Sequence, residues 1–152
     1  MDMTGERRIP APRETVWQAL NDPEVLKASI PGCESLEKLS DTAMKAIAAV
    51  RIGPISARFN GTVQLTDIDA PNGYTINGEG QGGVAGFAKG GAKVHLADAE
   101  GGGTMLKYDV QANVGGKIAQ LGSRLIDGVA KKMSDAFFSA FAKAVEGGGP
   151  AS

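Results

Sequence analysis

Few side chains in this sequence could do chemistry, and each stands alone. His95 is the only histidine and Cys33 the only cysteine in 152 residues. Without a second imidazole, most zinc and di-iron sites and a Ser-His-Asp triad are excluded, leaving only a histidine acting by itself. One cysteine excludes an intramolecular disulfide and any multi-cysteine zinc site. His95 sits between Val94 and Leu96 in an alternating stretch, so it is expected on the wet face of a strand. Cys33 follows Pro31-Gly32 and reads as a small buried residue. A nucleophile there would need a base, and His95 is expected to point the other way. No catalytic residue and no metal site are expected.

The glycine-rich run offers a second kind of chemistry. Gly80-Gln81-Gly82-Gly83-Val84-Ala85 formally matches a dinucleotide fingerprint, which needs a helix start to hold the pyrophosphate. The next residues, Gly86-Phe87-Ala88-Lys89-Gly90-Gly91, cannot start a good helix. The run also lacks the Gly-Lys-Ser/Thr ending of a phosphate-binding loop. Two readings stay open. One is a plain glycine-rich connection between strand ends. The other is a mobile loop at the mouth of a cavity, with Phe87 as the one large side chain able to touch a ligand.

Composition narrows the class. Hydrophobic residues make up 42% and charged residues 22%, the profile of one soluble globular domain. A net charge of −1 argues against nucleic acid as a partner. Aromatics are only 5% while glycine occurs 22 times, so the core is built of small side chains and either packs very tightly or encloses a cavity. No apolar stretch approaches the ~20 residues a bilayer needs. The polar N-terminus lacks a signal-peptide core, and with one cysteine a cytoplasmic location is expected. The domain is expected over 1–146, with 147–152 as a flexible tail.

The elements that would position these residues are legible in the periodicity. Met3 to Ile9 reads as a strand stopped by Pro10 and Pro12. A helix follows with Val16, Trp17 and Leu20, then a second short one opened by Asp22 as cap and Pro23 at its first position. From Cys33 the period changes to two. A hairpin over Ser35–Leu39 and Ala43–Ile52 is followed by strands in which Phe59 and Val63, then Tyr108 and Val110, alternate inward. From Lys117 to about Glu146 a long helix carries Ile118, Leu121, Leu125, Val129, Met133, Phe137 and Phe141 as an apolar stripe. The class is therefore α+β, a curved antiparallel sheet gripping a long C-terminal helix. Phe59, Val63, Tyr108 and Val110 are expected to face Leu125, Val129 and Met133 across the interior, with Trp17 as a further pocket residue.

Several strings carry a family resemblance. MTGERRIPAPRETVWQALNDPEVLKASIPGCESLEK resembles the start of the G-subunit proteins of carbon monoxide dehydrogenase. RIGPISARFNGTVQLTD, GEGQGGVAGFAKGGAKVHL and GGKIAQLGSRLIDGVAKKM are similar to later parts of the same family, so the likeness covers about 1–146. It implies the START-related helix-grip fold, a cup that holds lipophilic ligands between sheet and helix. It also implies an accessory of molybdenum-containing carbon monoxide dehydrogenase and related molybdenum hydroxylases, serving membrane attachment and electron delivery to respiratory quinone. Some family members continue to a hydrophobic C-terminal anchor, and the stretch Gly-Gly-Gly-Pro-Ala-Ser does not resemble one, so attachment by an anchor of its own is not carried over. Peripheral contact at the inner face of the cell membrane is the expectation. The family offers no catalytic motif to carry over. Three functions remain open: a carrier of quinone or a similar lipid, a recruitment adaptor with an empty cavity, and a small hydrolase or cyclase.

Overall fold

Pro10 and Pro12 cannot extend a strand ladder, and β1 ends where they begin, at Asp2–Ile9. The computed structural model describes residues 1–147. Pro12 stands at the N-cap of α1 (Arg13–Leu20), which buries Val16, Ala19 and Leu20. Asp22 caps α2 (Pro23–Ser29), its side chain accepting from the Glu24 amide at 3.0 Å, with Pro23 opening the helix. Period-two segments then give β2 (Cys33–Ser40), β3 (Ala43–Ile52), β4 (Ile55–Asp69), β5 (Gly73–Gln81), β6 (Phe87–Asp98) and β7 (Thr104–Gly115). All pairings are antiparallel, in the order β1-β7-β6-β5-β4-β3-β2. The two short helices thus carry the chain from one edge of the sheet to the other.

Two segments depart from the expected pattern. The long helix does not begin at Lys117. A 3-10 turn covers Lys117–Leu121, Gly122 breaks the chain with φ 92°, and α3 runs Ser123–Gly147. The rest of the tail expected at 147–152 lies outside the described residues. The glycine-rich segment is also shorter as a loop than expected. β6 already starts at Phe87, so Gly90 and Gly91 are strand residues paired with Gly78 and Asn77. A Cβ on Gly91 would sit 2.9 Å from the Ile76 carbonyl oxygen, so this glycine allows close strand approach rather than motion. Only 82–86 remains between strands, and it contains one 3-10 turn at Gly83–Ala85.

The core gathers where Ile9, Leu96 and Leu106 of the sheet meet Val16 and Leu20 of α1 and Phe141 and Val145 of α3. Thr104, buried beside them, donates from Oγ1 to the Ala11 carbonyl at 2.7 Å and ties the start of β7 to the β1–α1 link. Phe141 is fully enclosed. Phe141→Ala is therefore expected to cost about 3–5 kcal/mol in urea denaturation with an unchanged slope. A loss under about 1 kcal/mol would show that the ring is not a core group.

Candidate functional site: an apolar cavity under the helix

Alternation along the middle strands sends every second side chain to the concave face. Val63 and Leu65, Tyr74 and Ile76, Ala92 and Val94, and Leu106, Tyr108 and Val110 arrive there from β4 to β7. Met3 of β1 and Met44 and Ala46 of β3 widen the floor, and Leu20, Leu26 and Ile30 close one side. Ser134, Phe137 and Phe138 of α3 form the roof. These groups enclose about 320 Å³. Alanines at 46 and 92 leave the floor low where larger residues would fill it.

Three lining residues carry hydroxyls. Tyr74 donates to the Leu20 carbonyl oxygen at 3.2 Å, and burial pushes its hydroxyl pKa well up. Ser134 Oγ donates to Tyr108 Oη at 3.2 Å. The Tyr108 ring stacks on Phe138 at 5.3 Å and 21°, and Phe138 meets Phe137 edge-on at 5.1 Å. Arg7 lies over Phe138, its Cζ 5.4 Å from the ring centre, and pairs with Asp135. That pairing holds the Asp135 carboxyl below its ordinary range, and the guanidinium is raised chiefly by Asp135 and further by Tyr108. Met3 and Tyr108 have a second role. They also border an open cleft between β1 and the first half of α3, where Gly5, Arg7, Asp127 and Lys131 stand.

The structure brings three of the sequence-predicted residues, Val63, Tyr108 and Val110, to the cavity wall. Trp17 stands one layer behind, 5.2 Å from the Tyr74 ring. Phe59 shares the inward face of β4 but lies under the glycine loop, where a Cβ on Gly82 would fall 2.6 Å from its ring. Phe87 belongs to the opposite face. It shares that face with Lys89, Lys93 and His95, and its ring lies across Gly115. A ring there cannot reach the cavity.

Leu125, Val129 and Met133 do not line the cavity either. Steps of four residues advance about 40° each around a helix, so Leu125 is turned roughly 160° from Phe141. Leu125 is 37% exposed and shares an open groove with Leu121, Arg124 and Val129. Ser134, Phe137 and Phe138, missed as roof residues, all fall within about 60° of Phe141 by the same count. That angle was available in the sequence once the helix was anchored on its most buried ring.

The site holds no carboxylate, imidazole or thiol at its wall. Cys33 is half-buried beside Ser35, and burial pushes its thiol up, away from the reactive thiolate. Among the described residues no group of three His, Cys, Asp or Glu could hold a metal, and no helix is long and apolar enough to cross a membrane. What the arrangement can do is enclose an apolar molecule.

Comparisons with known proteins agree with this architecture. Residues 5–146 match CoxG, the G-subunit family of carbon monoxide dehydrogenase. No curated protein matches the sequence. A solved conserved protein from Geobacillus kaustophilus is 32% identical, with 96% of this chain and 95% of that one covered and a TM-score of 0.90. A START superfamily protein from Mycobacterium smegmatis is 14% identical over 95% of this chain and 97% of its own, with a TM-score of 0.71. The Zhui aromatase/cyclase from Streptomyces sp. R1128 is 13% identical over 96% and 93%, at 0.65. These last two show the helix-grip fold alone.

Tyr74 gives the site a pH signature. Its folded pKa is raised above the usual 10.0 by burial, so the neutral hydroxyl is the form the fold favours. Its contribution is complete below about pH 10, where the unfolded chain is also neutral, and is lost as pH rises toward the folded value. Urea midpoints measured from about pH 9 to 12 should therefore fall more steeply for the wild type than for Tyr74→Phe. Parallel curves would place the hydroxyl in solvent.

Proposed function

The chain belongs to the CoxG family of carbon monoxide dehydrogenase, and on that premise we propose that it is an accessory protein holding a respiratory quinone or similar lipophile in its cavity. In this reading it serves a molybdenum hydroxylase-type dehydrogenase on the cytoplasmic side, touches the membrane peripherally, and passes the enzyme's electrons to the membrane chain. The observation that carries it is the cavity itself, enclosed under α3 and lined by apolar side chains with only three hydroxyl-bearing residues. Apolar burial at ~25 cal/mol per Å² supplies affinity there with few polar contacts. The volume, about 320 Å³, is about twice the ~150 Å³ that accommodates benzene. A bicyclic ring fits, and a long prenyl tail runs outside.

The adaptor reading has its own support in the open groove on α3. Leu121, Leu125 and Val129 are ringed there by Arg124, Lys131 and Lys132, a surface suited to a protein partner. A hydrolase or cyclase would need an acid or base aimed inward, and the wall supplies none stronger than tyrosine.

Titration with a short-chain isoprenoid quinone, followed through Trp17 next to the cavity residue Tyr74, should give a saturable fluorescence change. Ala92→Phe, which fills the floor, should weaken binding at least about tenfold, the equivalent of roughly 1.4 kcal/mol. A wild-type protein that binds its dehydrogenase but no isoprenoid quinone would leave the adaptor reading standing and sink the carrier reading.

A further inference from the structure

We infer that Tyr108 is the polar anchor of the cavity, its hydroxyl donating to a carbonyl oxygen of an otherwise apolar ligand. This rests on the reading that the cavity takes a lipophile, and adds which end of it is held and where. The hydrogen bonds of the lining lead to Tyr108. The Tyr74 hydrogen is spent on the Leu20 carbonyl, and the Ser134 hydrogen on Tyr108 Oη. The hydrogen of Tyr108 has no acceptor in the protein among these bonds, so one donor is left over at the wall. The hydroxyl is half-buried where the cavity meets the β1–α3 cleft, so a ligand oxygen there can take its hydrogen in place of water.

The group is also held still, as an anchor must be. Its ring is stacked on Phe138, and Ser134 fixes the hydroxyl from α3. On the β1 side it rests over Gly5, its register partner, where any Cβ would collide with the hydroxyl. Beyond Phe138 stands Arg7, locked by Asp135, whose positive charge strengthens donation from a neighbouring hydroxyl. An acceptor placed against Tyr108 lies at the border between the apolar cavity and the β1–α3 cleft, because Tyr108 and Met3 wall both. The carbonyl-bearing edge of the ring therefore faces the β1–α3 cleft, while the rest of the ring lies in the apolar cavity.

A matched pair of probes tests this: dimethylnaphthoquinone and dimethylnaphthalene, alike in shape and differing in the two carbonyls. By calorimetry, Tyr108→Phe should lose about tenfold in affinity for the quinone and keep its affinity for the hydrocarbon, which also reports that the variant is folded. Gly5→Ala, which keeps the hydroxyl but displaces it, should show the same selectivity more weakly. The infrared carbonyl stretch of the bound quinone should be lowered in the wild type and return toward its value in apolar solvent in Tyr108→Phe. Equal losses for both probes, or an unchanged quinone affinity, would overturn the anchor while leaving the lipophile reading intact. Failure of the wild type to bind either probe would overturn both.

Discussion

The rings of Phe137, Phe138 and Phe141 hold α3 over the concave sheet, and the cavity exists because of how they divide the work. Phe141 is sunk in the core with Ile9, Leu96 and Leu106, and Phe137 stacks on it at 5.5 Å. Phe138 turns the other way and stacks on Tyr108 of β7. The helix is thereby pinned at two points along its second half. Between them the floor carries alanine, valine and isoleucine, which cannot reach up to fill the gap. Close packing is the default of protein interiors, and this apolar space departs from it by far more than an ordinary packing defect.

The first half of α3 is built differently. It follows a glycine break and a 3-10 turn, and Leu125 reaches only as far as the β3–β4 turn at Gly53. Its other side faces β1 across a cleft containing Asp127, Lys131 and Arg7. One helix thus seals the core at its end, roofs a cavity in its middle and leaves an open, partly cationic surface at its start. The cavity proposed to hold a ligand and the surface suited to a partner thus lie on separate stretches of the same element.

Polar groups follow the same economy. The buried hydroxyls that build the fold, Tyr74 and Thr104, are each spent on a backbone carbonyl. The Ser134–Tyr108 pair instead lies at the edge of the cavity, bracketed by the Arg7–Asp135 ion pair. The Ser134–Tyr108 and Arg7–Asp135 pairs thus concentrate polarity at one border of an apolar chamber.

Much of this was legible in the sequence because it depends on neighbours in the chain. Proline stops, the Asp22 cap and the period of two need only a few residues of context, and they placed Val63, Tyr108 and Val110 on the inner wall. Phe87 was equally readable: counting back by twos from the outward His95 puts it outside, but the glycines around it suggested a loop where the chain forms β6. The roof of the cavity was not settled by pattern. A stripe of apolar residues four apart drifts about 40° per step, so which of them face inward depends on where the helix is anchored. Composition, ring-poor and rich in glycine, established on its own that the interior would be either very tight or hollow. That it is hollow, and that Ser134, Phe137 and Phe138 close it, was decided only by tertiary packing, because the distance between helix and sheet is set by side chains far apart in the chain meeting in space.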